Sequence, residues 1–289
     1  MTEKKKRTYE ELMALAKSKG LVKPVKQQEN LSLDLWADSA RGVPNVLLRN
    51  ALFGVSQVRV MYKDRALIAS SKDVEIRFKG ESFNQTDLDV FEMLLHLARL
   101  QPLGEPFKFT ANSFLKALGR KNGRTQYEQL KDDFARLMSG YVEITYINEK
   151  KSFMGTLLDD ATRDDETKTY TTIFKPHVMK LFDCGFTLTD WEQRRALGQS
   201  NLAKWLQGHY ATHAKPYPIK VETLHKLCGS ADKELFSFRQ KLKIALDELV
   251  RVGSLKSWEI LSGDLVSVQA VSSKSQLKHL SRSKKAGTA

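Results

Sequence analysis

Cysteine is scarce in this chain, and long apolar runs are absent from it. Cys184 and Cys228 are the only two cysteines, which is too few for a disulfide framework or a cysteine-based zinc site and favours a reducing compartment. No apolar run approaches the roughly 18 residues that a membrane span needs. The N-terminus does not resemble a signal peptide, because charged residues interrupt its apolar stretches. We therefore expect a cytoplasmic protein with no membrane partner.

The sequence also lacks the motifs of common nucleic-acid enzymes. It has no Gly-x-x-x-x-Gly-Lys-Ser/Thr loop for the phosphates of ATP, and no pair of histidines of the kind that holds a metal in strand-nicking enzymes. His209 and His213 lie four residues apart and can share a helix face, with His225 as a third candidate, but packing within the helices explains them as well. The acidic loop 159–166 can hold a divalent ion or be merely solvated. We predict no catalytic residue, no metal and no cofactor; a metal-dependent nuclease is the alternative.

Positive charge is concentrated at the two ends. The net charge is +13, and residues 1–30 contain eight Lys and Arg against four acids, while residues 272–289 contain five basic residues and no acid. The middle of the chain is only mildly basic, so it must gather its positive charge on one face to bind a polyanion such as DNA. We interpret 1–30 as a flexible basic arm and 272–289 as a disordered basic tail.

One pattern occurs twice, 110 residues apart. Each copy has a proline, an aromatic residue, a short strand, a short amphipathic helix, a glycine, a turn and a longer amphipathic helix. The first copy runs from Pro106 through Gly119, and the second from Pro216 through Gly229. This is the layout of a helix-turn-helix, whose second helix enters the major groove of DNA. The matched order of elements favours a true repeat over chance similarity.

A β-hairpin is predicted after each longer helix. Alternating apolar residues indicate strands at 141–147 and 153–158, and again at 255–261 and 265–271. Each half is then three helices and a hairpin. We predict an α+β fold of two tandem winged-helix domains, residues 31–185 and 186–271, with the acidic loop 159–166 facing away from DNA.

Both turn-helix regions contain side chains suited to DNA. A lysine-rich helix face is often only solvated, but two copies at matching places favour DNA binding. Arg239 is the best candidate for base contact, because arginine can bond guanine O6 and N7 together. The predicted DNA-binding residues are Arg120, Lys121, Arg124, Gln126 and Lys131 in the first region and Lys233, Ser237, Arg239, Gln240, Lys241 and Lys243 in the second.

Three stretches of the sequence point to a family. They are Leu-Trp-Ala at 35–37 with Arg-Gly-Val-Pro-Asn at 41–45, Pro-Leu-Gly-Glu-Pro at 102–106, and Glu-Gln-Arg-Arg at 192–195 with Pro-Tyr-Pro-Ile at 216–219. In this order they resemble the TrfA-type replication initiators of broad-host-range bacterial plasmids. The resemblance implies a protein that binds direct repeats (iterons) at a plasmid origin, helps to melt adjacent AT-rich DNA and recruits the host sliding clamp, replicative helicase and initiator. It also implies a homodimer as a second state.

The alternative function within DNA-binding proteins is a winged-helix transcriptional repressor. Direct repeats in the bound DNA, rather than one palindrome, would separate the two.

A short segment resembles a peptide that docks on the sliding clamp. Residues 32–36 read Ser-Leu-Asp-Leu-Trp, close to the Gln-Leu-Ser/Asp-Leu-Phe peptide of bacterial replication proteins. Leu33, Leu35 and Trp36 are therefore predicted partner-binding residues, whose apolar side chains would fill a groove. Packing of the same three side chains onto the first domain is an equal alternative.

Overall fold

The computed structural model describes residues 32–271, so the predicted arm and tail lie outside the described residues. The strands are β1 (Ala40–Pro44), β2 (Phe53–Gly54), β3 (Met61–Ile68), β4 (Val74–Glu81), β5 (Phe83–Asn84), β6 (Phe107–Thr110), β7 (Tyr141–Tyr146), β8 (Lys151–Gly155), β9 (Asp160–Asp164), β10 (Thr169–Ile173), β11 (Phe186–Asp190), β12 (Ile219–Lys220), β13 (Leu255–Leu261) and β14 (Leu265–Ala270). The helices are α1 (Asn45–Leu48), α2 (Gln85–Ala98), α3 (Ala111–Ala117), α4 (Arg124–Ser139), α5 (Trp191–Ala196), α6 (Asn201–Ala211), α7 (Val221–Leu227) and α8 (Leu235–Arg251), with a 3₁₀ helix (Pro176–Phe182) before β11. None of these helices is long and apolar enough to cross a membrane.

Helix α2 is the first helix of the first winged-helix domain, and its start is fixed by a reciprocal cap. The Asn84 side chain accepts a hydrogen bond from the backbone N of Thr86 at 2.9 Å. The Asp87 carboxylate in turn accepts one from the backbone N of Asn84 at 2.8 Å. Together they satisfy two donors that a helix start leaves free. Asn84 therefore occupies the capping position of α2.

The two predicted helix-turn-helix units are present, as α3 with α4 and α7 with α8. Gly119 and Gly229 follow the shorter helix of each unit, with φ of +74° and +63°. This left-handed conformation is strained for residues with a Cβ, and it ends a helix and redirects the chain. The repeated glycine of the sequence therefore marks the same turn in both units.

The first wing is not the hairpin that the sequence predicted. Strand β12, which precedes α7, pairs with β14, and β14 pairs with β13. In the first domain the matching strand β6 pairs with β10, and β10 pairs with β9. The first wing is therefore β9 and β10. The predicted acidic loop 159–166 is in fact strand β9 and the start of the wing tip.

Strands β7 and β8 instead join β3 and β4 in a four-stranded antiparallel sheet. In its register Ile76 lies opposite Ile144, and Phe78 opposite Val142. All four side chains are buried in the first core. Alternating apolar residues make a hairpin, but they do not say which sheet it joins, and here burial against β4 decides.

The described residues form two hydrophobic cores. One runs from Leu33 to Trp191, and the other from Leu197 to Val266. Strand β11 pairs with β1, Ala40 lying opposite Asp190, so residues 186–190 are tied to the first core. We propose that the second domain starts after Trp191, a few residues later than the sequence predicts.

A buried cluster of charges joins the two domains. Arg194, at the end of α5, is 1% exposed. Its Nε donates to the Asp89 carboxylate at 2.6 Å and lies 3.4 Å from Oε2 of Glu92. Lys204 of α6 donates to the other oxygen of Asp89 at 2.6 Å. Both acids belong to α2, so the first helices of the two domains are held together through charge.

Glu92 lies deepest in this cluster. Burial raises its pKa to about 7, because the loss of hydration opposes ionisation more strongly than Arg194 favours it. Neither of its carboxylate oxygens has a hydrogen-bond partner. Asp89, which accepts hydrogen bonds from both cations, has its pKa held below the usual value. Arg194 and Lys204 are thus matched mainly by Asp89.

We expect Arg194→Ala to lower the free energy of unfolding by about 3–5 kcal/mol, because it removes one of the two cations paired with buried Asp89 and the cation that contacts buried Glu92. Urea unfolding of the full chain, followed by tryptophan fluorescence, measures this loss. Arg195→Ala is the control, since Arg195 pairs with Glu192 at the surface and should cost at most about 1 kcal/mol. Equal losses for the two variants would contradict a structural role for the cluster.

Candidate nucleic-acid interface

Helix α8, the second helix of the second unit, turns one side to the core and the other to solvent. Its buried residues are Phe238, Leu242, Ala245, Leu246 and Leu249. Ser237, Gln240 and Ile244 are exposed at spacings of three and four residues, which places them on one stripe opposite the core. Within residues 32–271 the side chains of Ser237, Gln240, Lys233 and Lys243 have no hydrogen-bond or ion-pair partner. This face presents free donors and acceptors on an element that winged-helix proteins insert into DNA.

The turn before α8 is held by a small polar network. The Ser230 hydroxyl accepts a hydrogen bond from the backbone N of Asp232, and Lys241 donates to the Asp232 carboxylate at 2.5 Å. The carbonyl of Asp232 lies 2.8 Å from Nε2 of His225 on α7. Lys241, predicted to bind DNA, is therefore already paired with an acid in the free protein.

Arg239, the expected base reader, is also paired. Its Nε and Nη2 bond the two carboxylate oxygens of Asp264 at 3.0 and 2.7 Å. Asp264 lies at the tip of the second wing, in the turn between β13 and β14. The guanidinium edge that would bond guanine in two places is occupied, so Arg239 joins the wing to the recognition helix.

The first unit differs in how its predicted residues are used. Arg120 donates to buried Asp133 at 2.6 Å, and Lys131 pairs with Glu128 at 3.0 Å. Gln126 is half-buried, whereas Lys121 and Arg124 are exposed and have no side-chain partner among the described residues. Of the four predicted cations in this unit, Lys121 and Arg124 are the two without an ion pair among the described residues.

The outward face of the first unit is more acidic than that of the second. Glu128 and Asp132 are exposed on α4, and Asp165 and Glu166 are exposed at the tip of the first wing. Acids at these places repel phosphates. In the first unit, the N-terminal end of α4, near Lys121 and Arg124, is therefore better suited to a phosphate than the rest of the helix.

The predicted clamp-docking residues divide between core and surface. Leu33 and Trp36 are 4% and 7% exposed and belong to the first core, whereas Leu35 is 78% exposed. The Trp36 indole donates to Nδ1 of His96 at 3.0 Å. Its ring lies so close to Gly42 that a Cβ there would meet it at 2.7 Å. The structure thus favours core packing, because Leu33 and Trp36 are both buried in the first core and the Trp36 ring lies between β1 and α2.

The residues considered for metal binding have other contacts. His209 is buried and stacks on Trp205 with ring centres 4.8 Å apart. His213 bonds the backbone of its own helix. In the acidic stretch, Asp159 contacts Lys175 and His177. No three of the potential ligands within residues 32–271 are grouped so that they could hold a metal ion.

Sequence reasoning missed Phe236, Ile244 and Asp264. The first two are apolar but exposed on α8, a helix on which only polar side chains were predicted to bind DNA. Their spacing of four residues from Gln240 was a usable signal. Asp264 carried no signal, because its partner lies 25 residues away.

The sequence as a whole matches the family model described as TrfA protein over residues 4–270. The chain belongs to the TrfA family. It is 27% identical over 285 residues to the plasmid replication initiator protein TrfA of Escherichia coli, an alignment that covers 92% of this chain and 74% of that protein. It is therefore a plasmid replication initiator of the TrfA family, whose members bind DNA and are not enzymes. The prediction that it is not an enzyme is confirmed on that basis.

Solved structures agree on the fold. Domains 2 and 3 of RctB superpose with a TM-score of 0.52 at 12% identity, covering 78% of this chain and 98% of that one. The Pi initiator protein, solved in complex with iteron DNA, gives a TM-score of 0.50 at 13% identity, covering 64% and 91%. The predicted α+β fold with two tandem winged-helix domains is confirmed.

We expect Trp36→Ala to lower the free energy of unfolding by about 3–5 kcal/mol, because it removes a large buried side chain. Leu35→Ala is the matched control from the same segment and should change stability by less than about 0.5 kcal/mol. Thermal and urea unfolding of the two variants measure the difference. A stable Trp36→Ala protein that has lost binding to a purified sliding clamp would restore the docking hypothesis.

The Arg239–Asp264 pair predicts a specific pattern of DNA affinities. If Arg239 positions the wing, Arg239→Ala, Asp264→Ala and the double variant should lose similar amounts of specificity, about 1 kcal/mol or fivefold. Specificity is measured as the ratio of affinities for origin DNA and a random duplex at one salt concentration. If Arg239 reads guanine instead, only variants lacking Arg239 should lose it.

Proposed function

We propose that this protein starts replication by binding direct repeats (iterons) at the origin of its plasmid, helping to melt adjacent AT-rich DNA and recruiting the host replisome. The exposed, unpartnered face of α8 carries the proposal, because a winged-helix domain reads DNA with this helix. The Pi initiator has the same fold and is seen with iteron DNA, which supports this use of the fold. Melting and recruitment rest on the family alone.

The two domains would divide the work. The second would read bases through α8, with Lys233 and Lys243 on phosphates. The first would add phosphate contacts through Lys121 and Arg124 and set the spacing along the DNA. We leave Arg120 out, because removing its charge from Asp133 would leave a buried acid unpaired.

The host partners expected are the sliding clamp, the replicative helicase and the host initiator, with a homodimer as a second state. Leu33 and Trp36 are packed in the core, so clamp contact through them would require local unfolding. We infer that contacts with the replisome use other surfaces and take place in the cytoplasm, where plasmids replicate.

DNase I footprinting on the parent plasmid's origin tests the proposal. Protection of several direct repeats supports it; protection of a single palindrome at a promoter would favour a transcriptional repressor instead. Nicking of supercoiled origin DNA in the presence of Mg²⁺ or Mn²⁺ would point to a nuclease and contradict it.

We expect neutralising Lys233 and Lys243 to Gln to flatten the salt dependence of origin binding. Each lost phosphate contact lowers the slope of log K against log salt by about 0.9, so the pair should lower it by up to about 2. Lys121→Gln with Arg124→Gln should act in the same direction. The control is Lys63→Gln with Lys79→Gln, two exposed lysines on the β3–β4 sheet, which should leave the slope unchanged.

An unchanged slope in the first-domain variant would place that turn away from DNA. Equal flattening by all three pairs would mean that only net charge matters, and the proposed interface would be wrong.

A further inference from the structure

Two large apolar side chains are exposed on the outer side of helix α8. Phe236 is 67% exposed and Ile244 is 63% exposed. The outward side of an amphipathic helix is normally polar. Neither side chain belongs to either of the two cores of the described residues. Their exposure therefore indicates a role other than stabilising the fold of the domain.

Both side chains surround Gln240. Phe236 and Ile244 each lie four residues from it, one helical turn away on either side, while Ser237 and Lys243 lie three residues away. Gln240 is exposed and has no side-chain partner within residues 32–271. The five side chains form one continuous patch, and we call it the α8 patch.

The chemistry of the α8 patch matches one kind of base pair. A glutamine amide bonds adenine N6 and N7 together, and apolar side chains contact the C5 methyl group of thymine. Arginine is the usual partner of guanine, and both arginines of this helix already have contacts. The guanidinium of Arg239 is paired with Asp264, and Arg251, in the last turn, donates to the carbonyl of Ala196. Asp247, a possible acceptor for cytosine N4, already receives a hydrogen bond from the Trp258 indole at 2.9 Å.

We propose that the α8 patch reads adjacent A·T pairs in the major groove, with Gln240 bonding adenine and with Phe236 and Ile244 packing on thymine methyl groups. The inference rests on the proposed function and narrows it to the kind of base pair read. Lys243 would contact a flanking phosphate, and Ser237 either a base edge or a phosphate.

A protein partner is the competing occupant for one of the two side chains. Ile244 lines a cavity of about 490 Å³ together with Val55 and Leu202, which a partner's apolar side chain could enter. Phe236 does not line this cavity. A single role for both side chains therefore favours DNA as the occupant. Phe236 and Ile244 both lie beside Gln240 on the α8 patch, but only Ile244 lines the cavity that a protein partner could enter.

The test uses the full-length protein and a duplex copied from the origin segment that it protects from DNase I. Each thymine is replaced in turn by deoxyuridine, which removes only the C5 methyl group, and affinity is measured by fluorescence anisotropy at fixed salt. We expect one or more replacements to weaken wild-type binding about three- to fivefold, as loss of a buried methyl group should. At a thymine contacted by Ile244, the deoxyuridine replacement should not weaken DNA binding by the Ile244→Ala variant. At a thymine contacted by Phe236, it should not weaken DNA binding by the Phe236→Ala variant.

A parallel series probes Gln240. Replacing an adenine by 7-deazaadenine removes N7, so it should weaken the wild type at one position and leave Gln240→Ala unaffected there. Val250→Ala is the control, since Val250 is an exposed apolar residue in the last turn of the same helix, and it should keep every wild-type penalty. Melting curves verify that these surface variants are folded.

The outcomes separate the inference from the function on which it rests. Deoxyuridine penalties that persist undiminished in both apolar variants would overturn the thymine contacts. Wild-type affinity of Phe236→Ala and Ile244→Ala for origin DNA would also overturn the thymine contacts. In that case Ile244 would belong to a protein-docking surface. Failure of the wild type to protect any origin segment would overturn the proposed function itself.

Discussion

Arg194 lies between helix α2 of the first winged-helix domain and helix α6 of the second. If Arg194 moved away, buried acids of α2 would lose their cationic partner. Asp89 and Glu92 reach it from α2, and Lys204 reaches the same Asp89 from α6. Buried charges lose their hydration, and short hydrogen bonds between them offset that loss. A small displacement of either side chain would break these hydrogen bonds, so the positions of buried charges are tightly fixed. This contact therefore fixes how the two domains face one another. The two helix-turn-helix units are held in this way as one body.

Because the two units are held in one arrangement, differences in their exposed side chains decide what each unit can bind. Both have the same glycine-terminated turn and the same wing topology. Both units pair some of their basic residues internally, Arg120 and Arg136 with buried acids in the first and Arg239 and Lys241 with acids in the second. On the first long helix, α4, the unpaired cation is Arg124 at its first residue, and exposed acids follow it. The second unit leaves Gln240 and Lys243 free. The proposed division, in which the first unit mainly adds phosphate contacts and the second mainly reads bases, rests on this difference.

Much of the fold could be predicted because local rules decide it. Gly119 and Gly229 occupy left-handed positions that few other residues tolerate, and the amphipathic spacing predicts the longer helix after each turn, which the structure shows as α4 and α8. The parts that failed depend on distant partners. The alternating residues of β7 fit any sheet, and only pairing with β4 assigns them. The apolar spacing of Leu33 and Trp36 suits a docking peptide and a core equally, and His96, some sixty residues away, is what holds Trp36.

The candidate site shows the same limit in its charges. From the sequence alone, Arg239 is expected to be a free cation on a helix. In the fold, the second wing brings Asp264 against it, and the two side chains form an ion pair. The residue best suited to bond guanine is therefore already bonded within the protein. What then distinguishes the outer face of α8 is not its charge, which any solvated helix has. It is the placement of Gln240 between two exposed apolar side chains, an arrangement with no use in water and a direct use in a groove lined by adenine edges and thymine methyl groups. Positive charge brings such a protein to DNA of any sequence. Selecting one segment requires groups that distinguish base edges, and in the second domain these lie in the α8 patch.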